Sequence, residues 1–123
     1  DALFAPREKI RQMAMQIATE EDLPDDWLND YVKGFLSPSA SFEPYLELSN
    51  LCVLTATAEY LLAMKCLSMR IGLEFHDESD VRFLLRALNI SSYDKALAVV
   101  TGYYPLEYVP QKTLYALEEL LGK

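Results

Sequence analysis

Few residues in this 123-residue chain have the type and spacing to do chemistry, and Lys65 stands out among them. It lies in the middle of "YLLAMKCLSMR", residues 60–70, which otherwise reads as a buried apolar helix. At about 100° per residue its neighbours one turn away are Leu61, Leu62, Ser68 and Met69. Desolvating an ammonium is costly, so a lysine here either snorkels past its apolar neighbours or meets an anion. The carboxylates are the second set. Asp1 leads straight into apolar residues, as at the end of a strand, and Glu47 lies in a later strand region. Paired acids on neighbouring strands are how a metal-dependent phosphoryl-transfer site holds Mg²⁺. Taken alone, Glu47 reads as a solvent-facing strand residue.

The third set is Arg70 with the single histidine, His76. Arg70-Ile-Gly-Leu-Glu-Phe-His76 is similar to the loose Arg–His spacing of helical HEPN-type ribonucleases, where the two side chains act on an RNA phosphodiester by phosphate binding and acid/base catalysis. Here the spacing crosses Gly72, a helix end by its residue type, so the two side chains are expected to turn to different surroundings. His76 then reads as a surface or capping residue. One histidine and two cysteines without CxxC spacing give no complete zinc site and no Ser-His-Asp triad. Four scattered glycines give no phosphate-cradling loop.

The elements that must position these residues follow from composition and periodicity. With 51% hydrophobic and 24% charged residues the chain is globular, and its length fits one compact domain. A net charge of −8 argues against a broad nucleic-acid surface. No apolar run reaches the ~20 residues of a membrane span, and no signal-peptide pattern is visible. Cys52 and Cys66 lie in apolar stretches and read as reduced core thiols of a cytoplasmic protein. The opening "DALFAPREK" reads as the tail of a strand whose beginning is missing, hence a fragment.

Pro6 is placed to open a helix with Ile10, Met13, Ala14 and Ile17 at helical spacing, ending in "TEEDLP". "PDDWLNDYVKG" predicts a second, shorter helix, and "FLSPSASFEP" a loop. "YLELSNLCVLT" carries the clearest strand signal, either a hairpin turning at Ser49-Asn50 or one continuous strand. Thr57 can cap the helix carrying Lys65. "HDESDVRFLLRALN" follows, with Asp77 as cap and Val81, Leu84, Leu85 and Leu88 as buried stripe. A helix with Ser91 and Asp94 in a capping box comes next. The last runs from Pro110 to Gly122 with Leu114, Leu117 and Leu121 on one face. The fold class expected is α+β: a partial mixed sheet in the N-terminal half, residues 1–56, and a helical region over 57–123.

At "ATAEYLLAMKCLSMR" followed by "DESDVRFLLRAL" the chain resembles bacterial nucleotidyltransferase-like proteins related to the AbiEii abortive-infection toxins, in an uncharacterised branch. Those carry an "A-x-E-Y-L-L-A-M-K-L" helix, a nearby Arg and "D-x-x-D-[IV]-x-x-L", matched by Ala58 to Leu67, Arg70, and Asp77 to Leu84. "DALFAPRE", "LPDDWLND" and "YYP" add weaker support. The resemblance implies that Asp1 is the second Asp of a T-x-D-[IV]-D-A-L-F metal-binding strand, and that Glu47 stands where a third carboxylate comes from. It implies that Lys65 faces the nucleotide. It therefore implies Mg²⁺ and NTP in the complete protein, and nucleotidyl transfer that this chain would not perform alone. Asp77 and Asp80 read instead as structural, loading a helix N-terminus. The rival class is a non-catalytic interaction module, with a cognate antitoxin or a further copy of the chain as partner. Its support is the acidic charge and the tyrosines Tyr103, Tyr104, Tyr108 and Tyr115.

Overall fold

The computed structural model describes residues 2–70 and 76–122. The chain divides into two compact units, 1–36 and 37–123. Among the described residues it is an α+β protein with five α-helices and a two-stranded antiparallel sheet.

In the first unit, helix α1 (Arg7–Glu21) follows Pro6, whose extended backbone makes it the residue before the helix. Asp22 closes α1 in the left-handed conformation, φ 53°, where a short polar side chain is tolerated. The buried face is narrower than the periodicity predicts. Ala14 and Ala18 are buried, whereas Met13 is 48% exposed. Trp27 covers Ala14, its indole N–H donating to the Ala14 carbonyl at 2.9 Å. The helix expected in "PDDWLNDYVKG" is absent; turns lead into a short 3₁₀ segment, Tyr31–Phe35. The cause is local. Asn29 Nδ2 donates to the Asp26 carbonyl at 3.1 Å, and Asn29 Oδ1 accepts from the Tyr31 N–H at 3.1 Å. Such side-chain bonds offer the backbone an alternative to the helical ladder.

The second unit begins at a loop and a hairpin, β1 (Phe42–Leu48) and β2 (Leu51–Ala56), with Ser49-Asn50 as its two-residue turn. The hairpin, not the continuous strand, is what forms. The sheet is antiparallel rather than mixed, and Ala2–Phe4 form no strand; the Ala2 N–H bonds to the Asn29 carbonyl at 2.8 Å. The hairpin belongs with the helices, so the observed division falls after Leu36 where the sequence placed it after residue 56. Its base explains why. Phe42 meets Tyr60 edge-on with ring centroids 5.7 Å apart. Ser41 Oγ lies 2.7 Å from Thr57 Oγ1 and 2.8 Å from the Tyr103 hydroxyl.

Helix α2 (Ala58–Leu67) starts at Thr57, whose hydroxyl accepts the Tyr60 N–H as expected. It is buried on most sides: Tyr60, Leu62, Ala63 and Cys66 are fully enclosed. Helices α3 (Asp77–Ala87), α4 (Tyr93–Tyr103) and α5 (Gln111–Leu121) pack with it around one core of Leu62, Cys66, Val81, Leu85, Ala96, Val100 and Leu117. The expected stripe of α3 is buried as Val81, Leu84 and Leu85. The cap of α4 is Ser92, bonded to the Lys95 N–H, one residue later than the Ser91–Asp94 box. Thr113 of α5, fully buried, donates to the Cys66 carbonyl at 2.8 Å and so satisfies an acceptor that the end of α2 leaves open.

Candidate functional site

Lys65 meets its anion. Its ammonium lies 2.8 Å from Asp80 Oδ2 and 3.8 Å from Asp77 Oδ1, both on the first turns of α3. Asp77 in turn accepts from the Arg70 side chain, Nε at 2.8 Å, and from the Arg70 backbone N–H at 2.9 Å. The Lys–Arg–D-x-x-D string is therefore one charge cluster that clamps the C-terminal side of α2 to the N-terminus of α3. Spacing explains it: Asp77 and Asp80, three apart on a helix, present both carboxylates to one neighbour. The helix N-terminus favours them further. The Asp77 side chain is 9% exposed. The Arg70 guanidinium and N–H hold Asp77 below the ordinary carboxylate value against the opposing effect of burial.

The backbone places His76 as the residue before α3, and its side chain makes no capping bond. Asp77, expected as that cap, is the first helical residue instead. The guanidinium of Arg70 is turned to Asp77. Helix α2 already ends at Leu67, before the end expected at Gly72, and residues 71–75 lie outside those described.

Asp1 also lies outside the described residues. Glu47 is exposed on β1 opposite Cys52, and no group of three or more His, Cys, Asp or Glu is gathered as a ligand set among the described residues. Cys52 is exposed on the hairpin, correcting its reading as a core thiol, while Cys66 is buried and its thiol is pushed up to about 12 by burial. Two open hollows stand out among the described residues. One of about 410 Å³ is lined by Ser39, Glu59, Ala98 and Tyr103 of the second unit. The other, about 340 Å³ in the first unit, gathers Arg7, Arg11 and Lys33 beside Asp30, which takes Arg7 at 3.0 Å and Lys33 at 3.4 Å. Neither concentrates charge of one sign.

A second polar cluster fastens the loop before β1. The Ser37 N–H donates to the Tyr60 hydroxyl at 3.1 Å, and Ser37 Oγ donates to the Tyr103 carbonyl. Tyr60 and Tyr103 stack at 5.0 Å. Tyr104, 4% exposed, is raised by burial, helped by Tyr60. Tyr103 and Tyr104 are thus structural, whereas Tyr108 and Tyr115 face solvent at 64% and 62% exposure.

The exposure of the hairpin and its bulge are the features that sequence reasoning missed. Every residue of β1 is exposed. Six large apolar side chains of the pair, Phe42, Tyr45, Leu46, Leu48, Leu51 and Leu54, are between 43% and 74% exposed. The ladder shifts register between Pro44 and Leu46, leaving Tyr45 as an extra residue on β1. That bulge exchanges faces. Strict alternation would gather Phe42, Pro44, Leu46 and Leu48 on one side. The observed pairs Leu46↔Val53 and Leu48↔Leu51 instead build an apolar patch on the side opposite Phe42. Glu47 moves to the Phe42 side.

Comparison of the chain with family models, curated proteins and solved structures finds no match. The resemblance thus rests on the quoted sequence strings alone, and in the fold the side chains of Lys65, Arg70, Asp77 and Asp80 bond to one another. No helix among the described residues is long and apolar enough to cross a membrane.

Proposed function

We propose that the chain is a non-catalytic interaction module whose β1–β2 hairpin is the contact element. The observation that carries this is the hairpin's exposed apolar surface combined with two strand edges that pair with no further strand among the described residues. A lone two-stranded ribbon is marginal in water, and three or more strands with an apolar face are the stable form. Contiguous apolar surface of this kind marks a binding site. The larger helical core, from Leu62 to Leu117, draws no residue from it.

The test is a paired substitution at the tip, Leu48→Glu with Leu51→Glu. Both side chains are about half exposed, at 56% and 48%. Exposed substitutions away from packed sites shift stability by about 0.5 kcal/mol or less. The double variant is expected to melt like the parent and to lose association. If it unfolds the helices, the hairpin is part of the core and the module reading fails.

A second reading, nucleotidyl transfer from NTP with Mg²⁺, has one observation in its favour: Lys65 is 32% exposed, so a phosphate oxygen has room to take the place of Asp80. Calorimetric titration with Mg-NTP separates the two. The module reading expects no heat, and heat abolished by Lys65→Met would favour the transferase.

A further inference from the structure

Association through the hairpin, the reading on which this inference rests, leaves open what it binds. The two edges differ in kind. The β1 edge has Pro44, which carries no backbone donor, the bulge at Tyr45, and the charges of Glu43 and Glu47. Those are the devices by which sheets block edge-to-edge pairing. The β2 edge, Leu51-Cys52-Val53-Leu54-Thr55-Ala56, has no proline, glycine, charge or bulge. Its outward N–H and C=O groups call for a strand, and its uncharged side chains offer nothing for a charged strand to read.

We infer that β2 pairs antiparallel with β2 of a second copy of this chain across a two-fold axis, closing a four-stranded sheet. The segment is its own complement. An antiparallel pair related by a two-fold axis normal to the sheet must match residues of the same face. Odd-numbered residues therefore meet odd, and even meet even. Two such registers keep five residues of β2 paired, centred on Val53 or on Leu54. The second sets Ala56, packed against the Tyr60 cluster, opposite Cys52 of the second copy and drives each hairpin tip, at Asn50, against the start of the other copy's α2. The axis therefore passes Val53, with Cys52 opposite Leu54 and Leu51 opposite Thr55 of the second copy.

In this register Leu46, Leu48, Leu51 and Val53 continue into their copies as one apolar face. Such a contact is isologous, and it closes. Charge permits it as well. The acids of β1 stand three strand spacings from their copies, about 14 Å. That exceeds the Debye length of about 8 Å at physiological salt.

The test measures the mass of the full chain in solution by light scattering over a concentration series. The expected result is a doubling of mass with rising concentration. Val53→Lys places like charges directly opposite at the axis and is expected to weaken association at least tenfold. Because a lysine in place of Val53 carries a risk to folding, Cys52→Ser with Val53→Cys supplies an independent check. A short bis-maleimide is expected to link that variant to itself, Cys66 being buried. A chain monomeric throughout, or one that dimerises equally as Val53→Lys and fails to link through the introduced thiol of the double variant, overturns the inference. A monomer whose Leu48→Glu, Leu51→Glu form folds normally overturns the second copy alone and leaves the module reading standing. Unfolding of that form overturns both.

Discussion

At the scale of single residues, Lys65 and Asp77 differ in what depends on them. Lys65 keeps its stem in the α2 surface and its head on Asp80, itself 46% exposed. Lys65→Met preserves the stem and leaves Asp80 to water, so its expected cost is below about 1 kcal/mol. Asp77 is nearly enclosed and accepts from both the Arg70 side chain and its backbone N–H. Asp77→Ala removes the acceptor of an amide and leaves Lys65 with one carboxylate, at an expected cost of about 1–3 kcal/mol. Urea melts of the two variants check the order; equal losses would mean that Lys65 is as deeply engaged as Asp77. The conflict of Lys65 with its apolar neighbours was legible in the sequence, and so was the D-x-x-D pair. What was not legible was that each answers the other, because the residues between Arg70 and Asp77 give no spacing rule that fixes a side chain's partner. Cys52 failed for a similar reason: an apolar neighbourhood in the chain does not say on which side of a two-faced ribbon solvent lies.

At the scale of elements, the α2–α3 clamp carries a pH dependence whose sign follows from Asp77. Its folded-state pKa is held below the ordinary 3.8 by Arg70, so below that value the unfolded chain binds more protons than the folded one. The stabilisation is complete above about pH 4 and is lost as the pH falls toward the depressed folded value. Thermal melts between pH 6 and 3 are expected to show a loss that Asp77→Asn reduces, Asp30 being lowered as well. A variant with the same acid slope as the parent would place the titration elsewhere. The helices of the second unit were the most legible part of the fold. Thr57 and Pro110 mark starts, and α3 buries Val81, Leu84 and Leu85 as expected. Helix α5 buries Leu117 of its expected face, with Leu114 and Leu121 half-buried. The "PDDWLNDYVKG" helix misled because Asn29, inside it, bonds to nearby backbone with its side chain and closes turns there. The hairpin was half legible. Ser49-Asn50 marked the turn, but the alternation Phe42, Pro44, Leu46, Leu48 hid the bulge, to which Pro44 was the single pointer.

At the scale of the whole chain, the helical core of the second unit is self-sufficient, with Thr113, Ser37 and Tyr60 satisfied inside it. The hairpin leaves six large apolar side chains without cover. A ribbon exposed on both faces is stable to the extent that something completes it. Hydrogen exchange of the β2 amides, residues 51–56, followed at low and high protein concentration, reads this directly. Protection of the outward-facing amides is expected to rise with concentration. Leu48→Glu with Leu51→Glu is expected to abolish the rise while the amides of α2 and α4 stay protected. Exchange in β2 that is slow at every concentration, and unchanged in the double variant, would show a hairpin stable by itself and would contradict the claim that it is a surface awaiting a partner.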